Sequence, residues 1–362
     1  MRKSIRVALV AAVGASALLF AGTALASFAP KIVVQNATQA AGSGGGLQIS
    51  ASAGQNDDPT ARVVIYVPNG YQLNSPAVGT RLGGVTASAQ AADLGGAVLP
   101  LTGDLLVVAP SQFATQQAQC GVTTAAATWD LHLTAAGQTL DVPVYVVQTS
   151  GTETAIGQFK LQICLPPPDV PAGTPGRAAF GAKLLTAVFT SNAFTNPVAT
   201  GDFRWRSLWT PYTPRTGTAN AAGSVEVQSL VRIPTQVAVS AKRKVTTKRV
   251  KVRGKTRLLH TTTATVTAKV TENGDAVSGA KVSITMNGKV VKTGVTGSAG
   301  TVVAVVKVTG KKSFGAKATI DDRDLGAAGC TQPVFGVPCA DAAIAGSTLT
   351  GRNTVSITAA KP

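Results

Sequence analysis

The sequence predicts an all-β protein built of two β-sandwich domains. Short runs of β-branched or alternating apolar residues recur along the chain, and turn-forming Gly, Pro, Ser, Thr and Asn separate them at the short intervals expected of a sandwich. Few segments of helical length show the 3.6-residue period of an amphipathic helix. The excess of positive charge begins in the last third of the chain, which indicates a domain boundary near Ile233-Pro234-Thr235.

The first 26 residues have the pattern of a secretory signal peptide. A basic start at residues 2–6 precedes an uncharged, mostly apolar run over residues 7–21. Ala24-Leu25-Ala26 then places small residues where signal peptidase reads them, so we expect cleavage before Ser27. No other stretch reaches the roughly 18 uninterrupted apolar residues of a membrane helix. We therefore expect a secreted protein, extracellular or associated with the cell envelope, with no transmembrane segment after cleavage.

Charge divides the remaining chain into two unequal parts. Residues 27–241 hold ten Lys/Arg and ten Asp/Glu, whereas residues 242–362 hold twenty and six, a net charge of +14. The length also suits two domains. We expect a neutral domain over residues 27–235 and a basic domain over residues 236–362.

Individual strands can be placed in the neutral part. Residues 63–67 are β-branched or aromatic and end at the turn residues Pro68-Asn69-Gly70. Residues 128–133 alternate and then turn at Ala136-Gly137, whereas residues 184–189 fit either a strand or a short helical turn. The prolines at 166–168 predict a stiff loop that could cross between sheets.

Four cysteines predict two disulfides in an exported chain. Of the three possible pairings we favour Cys120–Cys164 and Cys330–Cys339, because each pair lies within one part of the chain. The second pair would close a C-terminal segment of the basic domain. A four-thiolate zinc site would need close C-x-x-C spacings, which the sequence lacks.

Residues 272–288, with the sequence ENGDAVSGAKVSITMNG, followed by TGVTGSAGT at 293–301, resemble the bacterial immunoglobulin-like repeats of surface adhesins. The likeness covers about residues 262–320, and the alternation of Val282, Ile284 and Met286 with polar residues supports a strand there. Two departures are Val277, where those repeats usually have proline, and a single copy instead of a tandem array. The resemblance implies an immunoglobulin-like sandwich for the basic domain and a spacer or adhesion role without catalytic residues.

Residues 242–257 carry nine positive charges and no negative charge. Val250 and Val252 alternate with charged residues, and Gly254 offers a turn, so we expect a hairpin or edge strand. A solvated, aggregation-resistant edge needs only a few lysines, so this density favours a polyanionic partner. The candidate polyanion-binding residues are Lys242, Arg243, Lys244, Lys248, Arg249, Lys251, Arg253, Lys255 and Arg257.

An aromatic row at residues 203–212 is a second candidate. In a strand, Phe203, Trp205 and Trp209 share one face. Such rows are usually core, but an exposed row of Trp205, Trp209 and Tyr212 would stack on sugar rings.

Catalytic motifs are missing from the sequence. Only two histidines are present, His132 and His260, and both fit filler positions in strands, so we expect no metal site, no cofactor and no enzymatic activity. The acidic stretches at 56–58 and 321–324 lack the spacing of an EF-hand and fit turns better than calcium loops.

These features predict a non-enzymatic extracellular binding or structural protein. Its basic module would dock on anionic cell-envelope polymers or acidic polysaccharide, and nucleic acid would bind through charge alone. The alternative is a secreted carbohydrate-active protein that binds or cleaves a glycan beside Trp205 and Trp209. Exposure of the aromatic row distinguishes the two.

Overall fold

A computed structural model describes residues 28–135 and 137–361. The predicted signal peptide and its cleavage site before Ser27 lie outside the described residues. The chain is all-β with several sheets, and one two-turn helix, α1, covers Ala114–Gln119.

The strands, numbered along the chain, are β1 (Lys31–Asn36), β2 (Leu47–Ser52), β3 (Thr60–Val67), β4 (Gln72–Leu73), β5 (Arg81–Ala91), β6 (Ala97–Val108), β7 (Ala127–Ala135), β8 (Gln138–Gln148), β9 (Phe159–Cys164), β10 (Ala182–Ser191), β11 (Phe194–Thr195), β12 (Gly201–Pro211), β13 (Val225–Ile233), β14 (Thr235–Val252), β15 (Lys255–Glu272), β16 (Asp275–Ala276), β17 (Lys281–Met286), β18 (Lys289–Val295), β19 (Thr301–Val308), β20 (Lys311–Ile320), β21 (Arg323–Asp324), β22 (Cys339–Ile344), β23 (Ser347–Thr350) and β24 (Val355–Thr358).

Thirteen strands form one continuous sheet in the order β1-β2-β10-β5-β6-β7-β8-β9-β3-β12-β13-β22-β21. The sheet curls until its two ends meet: Lys31 on β1 pairs with Asp324 on β21, and the Val34 amide on β1 donates to Ser229 Oγ on β13 at 2.9 Å. The curled sheet encloses the larger core, which holds Trp129, Phe189 and Trp205. Residues 184–189, which fit a strand or a helical turn by sequence, are strand because β10 pairs with both β2 and β5.

A smaller cluster covers the outer face of this sheet. Phe113, Val122 and Tyr145 pack together there, beside the Cys120–Cys164 disulfide. Because β8 alternates, Val144 and Val146 face the larger core while Tyr145 faces the cluster. The disulfide ties α1 and its following turn to β9 and so holds the cluster against the sheet.

Two smaller sheets lie face to face in the basic part of the chain. One contains β14, β15, β16 and β19, and the other contains β18, β17, β20, β23 and β24. Their shared core includes Val237, Val266, Ile284 and Phe314. As predicted, Val282 and Ile284 are buried on one face of β17. The arrangement is compatible with an immunoglobulin-like domain.

The chain returns to the first sheet near its end. Strand β22 lies parallel to β13, and β21 pairs with β22 at the sheet's edge. The loop closed by the predicted Cys330–Cys339 disulfide precedes β22 and packs over the outer face of β13. There the amide of Val334 donates to the buried Glu226 carboxylate at 2.8 Å. The segment that the sequence grouped with the basic domain therefore pairs with the larger sheet.

Candidate functional site

Strands β14 and β15 form a long hairpin whose distal part extends beyond its sheet. The third strand, β19, pairs with β15 only as far as Thr262, which opposes Val308. From there to the tip, β14 and β15 pair only with each other among the described strands. We call residues 242–261 the basic ribbon; its first four residues, 242–245, lie opposite residues 262–265, which still pair with β19, and the rest projects beyond the sheet. Its turn is Arg253-Gly254, with φ of 50° and 78°, the two positive values that a type I′ hairpin turn requires.

All nine predicted cations lie exposed on the basic ribbon. Because buried Val237 and Val239 fix the alternation of β14, the register divides the charges between two faces. One face carries Arg243, Arg249 and Lys251, and Arg253 occupies the turn. The face that continues the outer surface of the sheet carries five cations: Lys242, Lys244, Lys248, Lys255 and Arg257.

The charges of the basic ribbon are neutralised by no carboxylate of the described residues. None of the nine takes part in an ion pair there, whereas Arg206 pairs with Glu226 at 2.6 Å and Lys281 with Asp321 at 2.7 Å elsewhere in the chain. The cross-strand register also keeps these cations apart. Each of the eight outside the turn lies opposite a neutral residue; for example, Lys248 opposes Leu259 and Arg249 opposes Leu258.

The ribbon also presents apolar side chains that sequence reasoning missed. Leu258 and Leu259 are 53% and 51% exposed, one on each face, and Val252 beside the turn is 46% exposed. Alternation alone could not show this exposure, because it depends on where β19 stops. His260 lies among them and bonds through Nδ1 to Thr247 Oγ1 at 2.9 Å.

The aromatic row lies in the core. Trp205 and Trp209 are 0% and 3% exposed, and the ring of Trp205 packs edge-on against Tyr71 with centroids 5.0 Å apart. Tyr212 is also buried, and its hydroxyl donates to the Leu165 carbonyl at 2.6 Å. The prediction that Trp205, Trp209 and Tyr212 could form an exposed row that stacks on sugar rings is therefore wrong, because all three side chains are buried.

The aspartates of the two acidic stretches have partners inside the protein. Asp57 Oδ2 accepts from the amide of Gly54 at 2.8 Å, and the Asp57 amide donates to the Gly54 carbonyl at 3.1 Å, which closes a turn. Asp322 accepts from the Gly346 amide at 2.6 Å, and Asp324, the last residue of β21, pairs with Lys31. The predicted turn is therefore present at the first stretch, whereas the second stretch contains strand β21.

One histidine lies in an acidic cluster. Asp130, His132 and Asp141 offer ligand atoms within 4.8 Å of one another, close enough to hold a cation, but His132 Nδ1 already pairs with Asp141 Oδ1 at 2.6 Å. Asp130 is buried, and burial followed by the charge of Asp141 raises its pKa to about 6. The cross-strand register of β7 and β8 sets His132 opposite Asp141, a pairing that the alternation of the two strands could have indicated from the sequence.

Both predicted disulfides are present, Cys120–Cys164 and Cys330–Cys339, and they indicate a protein of a non-cytoplasmic compartment. Within residues 28–135 and 137–361, no helix is both long enough and apolar enough to cross a membrane. No known family model matches the chain, and a search of curated proteins finds no match either.

Proposed function

We propose that this is an exported, non-enzymatic binding protein whose basic ribbon docks on anionic polymers of the cell envelope. The observation that carries the proposal is the presentation of nine exposed cations along one hairpin, six of them on its projecting two-stranded part, each without a carboxylate partner among the described residues. Elsewhere in the chain some exposed cations pair with carboxylates, as Arg81 does with Asp104 at 2.6 Å. The ribbon is distinguished by the density of its unpaired cations, nine within sixteen residues.

The geometry favours an extended polymer over a compact anion. Cations occupy both faces and the tip, and neighbouring charges of one face along one strand, such as Lys242 and Lys244, are two residues apart, about 7 Å. A repeating phosphate or carboxylate chain can contact several such charges in succession. Each contact releases condensed counterions, so binding should be strong at low salt and weaken steeply as salt rises.

The register supplies a second argument. Like charges directly opposed across two strands destabilise a sheet. The basic ribbon avoids that cost because Thr, Ala, Val or Leu faces every charged residue outside the turn. A plain solvated edge needs only scattered lysines. The combination of high charge with a register that tolerates it is what a folded anion-binding surface requires.

The test is a charge-neutralised variant with a matched control. Lys248→Gln, Arg249→Gln, Lys251→Gln and Arg257→Gln together leave the Arg253-Gly254 turn intact. The control variant converts four exposed lysines of the facing sheet that form no ion pair among the described residues: Lys289, Lys292, Lys311 and Lys317 to Gln. Both variants lose four charges, so nonspecific attraction falls equally.

Binding is measured by titration with a glycerol-phosphate polymer and an acidic polysaccharide from 50 to about 300 mM salt. We expect the ribbon variant to lose most binding and to reduce the slope of log K against log salt by about 3, because roughly four contacts are lost. The control should bind within about twofold of the wild type. If the ribbon variant keeps the wild-type affinity and salt dependence, the basic ribbon is only a solvated edge. If the wild type binds anionic vesicles and neither polymer, the partner is lipid.

A further inference from the structure

The inner core of the curled sheet is filled at one end and open at the other. At the filled end, four rings (Tyr71, Trp129, Phe194 and Trp205) pack edge to face with centroids 5.0–6.0 Å apart. At the open end lies a cavity of about 330 Å³. The volume falls within the range of small-molecule sites, about 300–1,000 Å³.

Part of the cavity wall is formed by three neighbouring alanines. Ala51 on β2, Ala187 on β10 and Ala87 on β5 are directly opposed across three neighbouring strands, and all three line the cavity. The opposite wall includes Val63 and Ile65 on β3. Each of these three alanines fills its core position with only a methyl group. The side chains that face them do not fill the remaining space.

Such a space is unusual for a protein interior. Native cores are packed to crystal-like density and contain few voids larger than a water molecule. Water is a poor occupant here, because an ordered water needs two to four polar partners and the walls are almost entirely apolar. The polar side chains that line the cavity are few: Thr60, Gln138, Thr139 and Lys183. The chemistry of the walls therefore selects an apolar occupant.

The cavity opens at a rim that suits an amphiphile. Leu94 and Phe180 line the opening and are 48% and 47% exposed, and Phe180 has φ of 55°, a rare conformation for an aromatic residue. The two turns that carry them are tied together, because Arg177 binds Asp93 through two hydrogen bonds of 2.7 Å. Lys183 also lines the cavity, and its ammonium donates to the carbonyls of Gln55, at 3.0 Å, and of Asp57.

We propose that this cavity binds a single-chain aliphatic amphiphile of the fatty-acid class. The chain lies among Ala51, Ala87 and Ala187, and the polar head stays at the rim beside Gln138 and Lys183. This site is distinct from the basic ribbon, and the inference does not depend on the ribbon's proposed function. It assigns a small-molecule ligand to the larger sheet.

Trp209 lines the cavity and provides a built-in reporter. Titration of the full mature chain with 12-bromododecanoate should quench part of the tryptophan fluorescence in a saturable way, with one ligand per chain by native mass spectrometry. Trp209→Phe should abolish most of that quenching, because Trp129 and Trp205 do not line the cavity. Quenching that persists undiminished in Trp209→Phe would place the ligand elsewhere and overturn the assignment.

A filling variant tests the cavity itself. Ala87→Leu should weaken dodecanoate binding at least tenfold and leave the thermal midpoint unchanged or raised, because the added side chain enters open space. The control Ala268→Leu places the same side chain in the second core, at a fully buried alanine that does not line the cavity. It should lower the midpoint by overpacking and leave dodecanoate binding unchanged.

The filling variant and the ribbon variant can each refute the proposal. If Ala87→Leu lowers the midpoint as much as Ala268→Leu does, the interior is packed and no site exists there. If Ala87→Leu folds and binds dodecanoate with unchanged affinity, the ligand lies elsewhere. The ribbon variant with four Gln substitutions distinguishes polymer binding by the ribbon from amphiphile binding in the cavity. If this variant binds dodecanoate more weakly than the wild type, the dodecanoate is attracted to the basic ribbon and does not enter the cavity.

Discussion

Replacing Asp130 by Asn should stabilise the protein at neutral pH and not at pH 4. Asp130 lies on β7, its side chain is 3% exposed, and Oδ1 has no hydrogen-bond partner among the described residues. Burial raises the pKa of this carboxyl from 3.8 to about 6, and the charge of Asp141 adds to the rise. His132 and the backbone amide of Val142 act in the opposite direction but do not cancel it.

The sign follows from proton linkage. A carboxyl with a higher pKa in the folded state binds more protons when folded than when unfolded between pH 4 and 6, so its contribution to stability falls as pH rises through that window. A rise of about two pH units corresponds to roughly 3 kcal/mol, reached above pH 6. Asn resembles the protonated acid in shape and cannot ionise. The variant should therefore match the wild type near pH 4 and exceed it by up to about 3 kcal/mol at pH 7–8.

Urea denaturation of both proteins at unit steps from pH 4 to 8 measures this difference directly, since titration of the other carboxylates is common to the two. Asp104→Asn is the control: Asp104 lies opposite His132 on β6, is exposed and pairs with Arg81. Removing this surface charge should change stability by no more than about 1 kcal/mol. A difference between Asp130→Asn and wild type that stays constant from pH 4 to 8 would refute the reasoning.

Two further predictions concern export and cross-links. Replacing Cys120 and Cys164 by Ala should cost about 4 kcal/mol in urea denaturation, and replacing Cys330 and Cys339 about 3, because the first pair closes the longer loop, with a sequence separation of 44 against 9. If removal of Cys330–Cys339 lowered the free energy of unfolding more than removal of Cys120–Cys164, restriction of the unfolded chain would not be the main source of stabilisation. Intact-mass measurement of the secreted protein should show an N-terminus at Ser27. A mass that includes residues 1–26 would contradict the prediction of a cleaved signal peptide.

Local patterns predicted the strands well because each pattern is a property of one strand. The alternation at β17 and the aromatic face of β12 depend only on residue spacing, and Gly254 marks its own turn. Pairing between distant strands could not be predicted from the sequence. Strand β22 pairs with β13, more than a hundred residues earlier in the chain, and no feature of its own sequence indicates this partner.

The same distinction applies to the sites. The basic ribbon could be located from composition, because a cluster of nine cations within sixteen residues is visible in the sequence without knowledge of the fold. The cavity required the register of three strands, since Ala51, Ala87 and Ala187 are ordinary alanines until they are set side by side. Burial of Trp205 was the favoured expectation because aromatic rows usually lie in cores, and the curled sheet shows which rings surround it.

The register of the basic ribbon explains how a strongly charged two-stranded hairpin can fold beyond its sheet. Isolated hairpins are marginal in water, so direct repulsion between strands would be hard to tolerate. In the observed register Lys248 opposes Leu259 and Arg257 opposes Val250, whereas a slip of two residues toward the turn would set Lys248 against Arg257. The Arg253-Gly254 turn holds the register that avoids this clash. The register therefore lets the ribbon carry its high charge without direct repulsion between opposed residues of the two strands.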